Sequence, residues 1–119
     1  MVAALVAAFV LAVAGPPAAT FEAGAAHARL AVSSWCWHTH CGAPISAVSK
    51  TTRVRRGSRV HVLLAFAPRH ALVSVAGKAM AIEVTGRELT WRATRGGGLT
   101  VSVSASPGFV VYVGRLKLH

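Results

Sequence analysis

Two cysteines and two histidines fall within six positions in the stretch Ser33-Ser34-Trp35-Cys36-Trp37-His38-Thr39-His40-Cys41-Gly42, beside two of the chain's three tryptophans. Three chemistries use such residues: a disulfide, a metal centre or a redox pair. In an exported chain a close cysteine pair is oxidised. Bridged Cα atoms lie about 4.4–6.8 Å apart, whereas five steps of extended chain would cover roughly 16 Å. A Cys36–Cys41 bond therefore folds residues 37–40 into a tight loop that ends the preceding strand. Closing so small a ring is worth about 2 kcal/mol, so the bond sets local shape more than it holds a domain together. Gly42 and Pro44 suit a chain leaving such a loop.

As metal ligands, Cys36, His38, His40 and Cys41 are of types that suit zinc or copper. Four tetrahedral ligands within six residues leave the backbone little slack. An alternative keeps the disulfide and lets His38 and His40 bind copper or zinc at the surface. A redox role is poorly supported, because the spacing is Cys-x4-Cys and no βαβ context surrounds it.

The second cluster is Arg53, Arg55, Arg56 and Arg59. Alternate residues of a strand project to one face, and guanidinium groups fork onto phosphate or carboxylate. The same charges would also keep a strand from pairing with another chain. Catalytic equipment is sparse. The chain has three carboxylates, Glu22, Glu83 and Glu88, and no Asp, Asn or Gln. It contains no Gly-x-Ser-x-Gly elbow and no His-Glu-x-x-His. General acid–base work needs a placed pair of titrating groups, so an enzyme would need a pocket bringing Glu83 or Glu88 beside a histidine. The chain reads as non-enzymatic, with no small-molecule substrate. Gly96-Gly97-Gly98 lacks the Lys-Ser/Thr of a phosphate loop and reads as a hairpin turn. Nucleic-acid binding wants interleaved exposed aromatics; only Trp35 and Trp37 qualify, and both equally suit the core.

The elements that position these residues read as strands. Val60, Val62, Leu64 and Phe66 alternate with other residues, as do Leu99, Val101 and Val103, then Met80, Ile82 and Val84, then Leu89 and Trp91. Val110, Tyr112, Leu116 and Leu118 share a face near the end. This is two-residue periodicity. Breakers at Gly57-Ser58, Pro68, Gly77, Gly86, Gly96–Gly98 and Pro107-Gly108 divide it into about seven to nine short strands, near 30–36, 45–48, 51–55, 59–66, 71–76, 79–85, 88–94, 99–105 and 109–118. The pattern predicts an all-β antiparallel sandwich or small barrel. A two-residue hairpin at Gly57-Ser58 would mix inward and outward residues on one face. A three-residue turn, or a crossing from one sheet to the other, keeps Val54 and Val60 inside and Arg53, Arg55 and Arg59 outside; the crossing is what immunoglobulin-like sandwiches do.

Residues 1–28 read as a signal peptide. The first fourteen, MVAALVAAFVLAVA, are apolar throughout, short of the roughly 20 a membrane helix needs. Ala12-Val13-Ala14 and Ala26-His27-Ala28 match cleavage-site spacing. An N-terminal membrane anchor is the alternative. Cleavage after Ala28 leaves a domain of residues 29–119, in which thirteen Lys and Arg, ten of them Arg, face only Glu83 and Glu88. Such a charge favours anionic surroundings. In an exported bacterial chain these are anionic cell-envelope polymers or a membrane surface, rather than nucleic acid.

Arg53-Val54-Arg55-Arg56-Gly57-Ser58-Arg59-Val60-His61-Val62 resembles the entry into bacterial immunoglobulin-like domains. With Ser34-Trp35-Cys36-Trp37, Cys41 and Gly108–Val113, residues 33–118 resemble small secreted actinobacterial proteins that carry a Cys-Trp…Cys segment ahead of an immunoglobulin-like sandwich. The resemblance implies an immunoglobulin-like β-sandwich in the cell envelope and brings no activity. Cleavage after Ala26 would instead make His27 the first residue of HARLAVSS, which resembles the start of periplasmic copper-binding sandwiches whose N-terminal His is a ligand. The expectation is thus a secreted or envelope binding or structural module with a basic face. The alternative is an extracytoplasmic copper- or zinc-binding protein using His38, His40 or His27.

Overall fold

A computed structural model describes residues 15–42, 44–45 and 51–119. Its regular structure is entirely β, with no helix among the described residues. Twelve strands follow in order: β1 Ala19–Ala23, β2 Ala26–Arg29, β3 Ala31–Trp37, β4 His40–Gly42, β5 Thr51–Val54, β6 Arg59–Leu64, β7 His70–Val75, β8 Lys78–Ala79, β9 Glu83–Thr85, β10 Glu88–Arg92, β11 Gly97–Ala105 and β12 Gly108–Leu118. They form two sheets. One has five strands in the order β2-β1-β6-β10-β9. The other has seven, β4-β3-β12-β11-β7-β8, with β5 added to β12. Strand pairing is antiparallel except between β5 and β12, which run parallel. One edge of β12 is shared: Gly108–Val113 pair with β3, and Arg115–Leu118 pair with β5.

The alternation read from the sequence is the alternation of burial. Val60, Val62, Leu89, Trp91 and Phe21 face inward from the five-stranded sheet. Val73, Val75, Leu99, Val101, Val103, Val110 and Tyr112 meet them from the other. All are buried in a single core. The rings of Phe21 and Trp91 meet edge to face with centroids 6.4 Å apart, a preferred geometry for an aromatic pair. The chain crosses between sheets from β5 to β6, one of the two connections that keep Val54 and Val60 inside; both are buried. Gly57 takes φ +84° at the corner, a left-handed conformation that costs glycine little. The Ser58 hydroxyl donates to the Arg55 carbonyl at 2.7 Å and closes the turn.

Three expectations differ from the described structure, and a fourth falls mostly outside it. Residues 19–28, assigned to the leader, lie in β1, β2 and the turn between them. Phe21 is 1 % exposed and β1 pairs with β6. Ala26-His27-Ala28, which match cleavage-site spacing, lie in a hairpin strand opposite Phe21–Ala23. The five-stranded sheet thus includes residues 19–28, ahead of the expected domain start at Arg29; the apolar run of residues 1–14 lies outside the described residues. The strand predicted at 79–85 is divided into β8 and β9, which lie in different sheets. Met80 and Ile82 pack on the core in the connection, while Val84, on the edge strand β9, is half exposed. Gly96–Gly98 do not turn a hairpin, because β10 and β11 belong to opposite sheets. Of the strand predicted at 45–48, Ile45 bridges Val32 and residues 46–48 lie outside the described residues.

Candidate functional site

Cys36 and Cys41 form a disulfide, with Cα atoms 4.0 Å apart. They are directly opposite each other on β3 and β4. The loop is a two-residue hairpin turn of His38 and Thr39, with φ +49° and +66°. Two successive positive φ values give the turn whose twist matches that of the flanking strands. Trp37 and His40 thus remain in the strands and pair, so the loop is shorter than the bond alone demands. The amide of His38 donates to the Pro107 carbonyl at 2.9 Å and fixes the hairpin tip to the β11–β12 turn. Trp35 lies over Gly42: a Cβ on Gly42 would stand 2.1 Å from the indole ring. His38 and His40 are exposed on this hairpin, and both cysteine sulfurs are committed to each other. His27 lies within β2, 63 % exposed, 3.9 Å from Glu22. Among the described residues, no three His, Cys, Asp or Glu side chains are gathered closely enough to hold a metal ion.

The four arginines straddle the β5–β6 crossing rather than one strand face. All are exposed. Arg53 and Arg55 open onto a cleft of about 430 Å³ whose far wall is the β1–β2 turn, Ala23–Ala26. Arg56 donates to the Thr94 carbonyl at 3.3 Å. Arg59 leads the other way, into a groove of about 480 Å³ between β10 and the β8–β9 connection. This groove was not foreseen. It adds Lys78, Arg92 and Arg95 to Arg59, with Glu83 the one carboxylate on its wall. It exists because β9 pairs only with Glu88–Thr90 of β10. From Trp91 onward that edge of β10 carries no strand, and the connection through Met80 and Ala81 passes beside it. Sequence spacing gave no signal of it, since Lys78 comes from one sheet and Arg92 from the other.

A second grouping lies on the outer face of the five-stranded sheet. His27, Glu22, His61, Thr90 and Glu83 form one row across all five strands, each paired with the next. Glu88 belongs to the adjacent row, opposite Leu63 and Thr85. Its carboxylate is in contact with His61 Nδ1. The carboxylate-beside-histidine condition set for catalysis is thus met geometrically by Glu88, but on an open sheet face, with about a third of each side chain exposed.

Inside the sandwich, the buried Tyr112 hydroxyl donates to the Pro17 carbonyl at 2.6 Å. Burial pushes its phenol well above the ordinary range. This bond ties the segment ahead of β1 to the opposite sheet. In comparisons with protein-family models, with curated proteins and with solved structures, no match to this chain was found.

Proposed function

We propose that the chain is a secreted or cell-envelope, non-enzymatic binding module, an immunoglobulin-like sandwich that holds anionic envelope polymers or membrane surface through a basic face. The strand order supports the immunoglobulin-like part. Taken as strands A, B, E and D, β1-β6-β10-β9 follow the order of one sheet of that fold; β12-β11-β7-β8 follow G, F, C and C′ of the other. Here β2 to β5 are inserted between A and B. The disulfide supports an oxidising compartment. Ten positive charges in excess at neutral pH favour a polyanionic partner.

The observation that carries the function is the state of the arginines. Arg53, Arg55, Arg56 and Arg59 are exposed around one corner, and none is ion-paired to a carboxylate among the described residues. A surface evolved only for solubility intersperses both signs. Retention on a polyanionic support, measured against salt, tests this. The parent protein is expected to elute at substantially higher salt than the R53S/R55S/R56S/R59S variant, because counterions screen exposed charge pairs. Identical elution of the two would contradict the reading.

A further inference from the structure

We infer that the groove between β10 and the β8–β9 connection is a phosphomonoester site that receives a phosphorylated sugar unit of the anionic polymer. The inference rests on the basic-face reading and names the group that one part of that face takes.

Arg59 and Arg92 are cross-strand neighbours on β6 and β10. Directly opposed residues stand with Cβ atoms roughly 5 Å apart, and like charges there are destabilising. Lys78 and Arg95 bring two more cations to the same groove from other elements. Only Glu83 offsets them. Arg92 spends one N–H on the Gly57 carbonyl at 3.1 Å. The side chains of Arg59, Lys78 and Arg95 have no hydrogen bond or ion pair among the described residues. Trp91, which lines the groove and is 4 % exposed, leaves its indole N–H without an acceptor. The chain therefore brings like charges together and supplies too few acceptors for them, an arrangement that an oxyanion relieves.

The donor set selects the class of oxyanion. A carboxylate has two oxygens and is satisfied by a single guanidinium fork. A phosphodiester likewise offers two free oxygens and one charge. A phosphomonoester offers three acceptor oxygens and a charge of about −1.5 to −2 at pH 7, which suits two opposed forks and an ammonium. The volume, about 480 Å³, lies within the range of small-molecule pockets, roughly 300–1,000 Å³. It therefore has room for the sugar that carries the group.

Calorimetric titration of the intact protein with a hexose 6-phosphate, a hexuronate, a hexose phosphodiester and the neutral hexose tests the assignment. The phosphomonoester is expected to bind at least tenfold more tightly than the other three. The R59S/K78S/R95S variant removes side chains that hold nothing in the fold, so it keeps the parent's circular dichroism and melting temperature. It is expected to bind the phosphomonoester at least tenfold more weakly, since hydrogen bonds to charged groups are lost. Glu83→Gln removes the groove's carboxylate and is expected to tighten binding about two- to threefold. Equal affinity for hexuronate or phosphodiester would overturn the phosphomonoester class. Undiminished binding by R59S/K78S/R95S together with loss in R53S/R55S would overturn this groove while the basic-face reading stands. No binding of any of the anions by the parent would overturn the phosphomonoester site; with identical salt elution of parent and quadruple-arginine variant on a polyanionic support, the basic-face reading would fall with it.

Discussion

Tyr112 shows how much one side chain carries in a domain this small. Its ring fills the core and its hydroxyl reaches across to Pro17, so it joins the last strand to the segment that leads into the first. Replacement by Phe leaves the Pro17 carbonyl without this donor and is expected to cost about 1 kcal/mol, read as a lowered urea midpoint. The same residue sets an alkaline limit. Its phenol ionises near pH 10 in the unfolded chain and at higher pH in the folded one. Between those values the folded state holds a proton that the unfolded state has lost, so stability falls as pH rises above about 10 and is unaffected below it. Urea midpoints measured from pH 8 to 11 are expected to decline above pH 10 for the parent and less steeply for Tyr112→Phe. Parallel curves would show that the buried phenol does not set the limit.

At the scale of strands, legibility followed physical cause. Where one face is buried, alternation marks the strand closely. The expected strands at 30–36, 59–66, 71–76 and 109–118 correspond to β3, β6, β7 and β12, because a register slip there would turn every apolar side chain outward. The parity of Val54 and Val60 left a three-residue turn or a crossing between sheets, and the structure has the crossing. Legibility failed where side chains are small or pairing is brief. β1 and β2 read ATFEA and AHAR, and only Phe21 betrays a core strand in a stretch whose alanines also match processing-site spacing. Of the site, the disulfide and the exposure of the four arginines were legible. The groove was not, since it arises where β9 stops pairing along β10. The position of β1 carries a prediction. A chain beginning at Gly15 keeps every described strand and is expected to unfold cooperatively. A chain beginning at Arg29 loses Phe21, whose removal alone costs about 3–5 kcal/mol at a core site, and bares the edge of β6. It is expected to be unfolded or aggregated by circular dichroism and gel filtration; a folded monomer would contradict the place given to β1.

For the molecule as a whole, the arrangement of charge connects fold to function. All three carboxylates belong to the five-stranded sheet, on β1, β9 and β10, and Glu88 is engaged by His61. Arg53, Arg55, Arg56 and Arg59 gather instead around the corner where the chain leaves β5 for β6, beside two clefts. A scaffold stabilised by apolar alternation, with no charged side chain buried among the described residues, leaves those cations available to a partner. Backbone amide chemical shifts of the isotope-labelled protein, followed during titration with a hexose 6-phosphate, test this most directly. Perturbations are expected to concentrate at Arg59, at Lys78–Ala81 and at Thr90–Arg95. Shifts confined to the Cys36–Cys41 hairpin, or no saturable shift at all, would contradict a basic sandwich that grips anionic ligands in this groove.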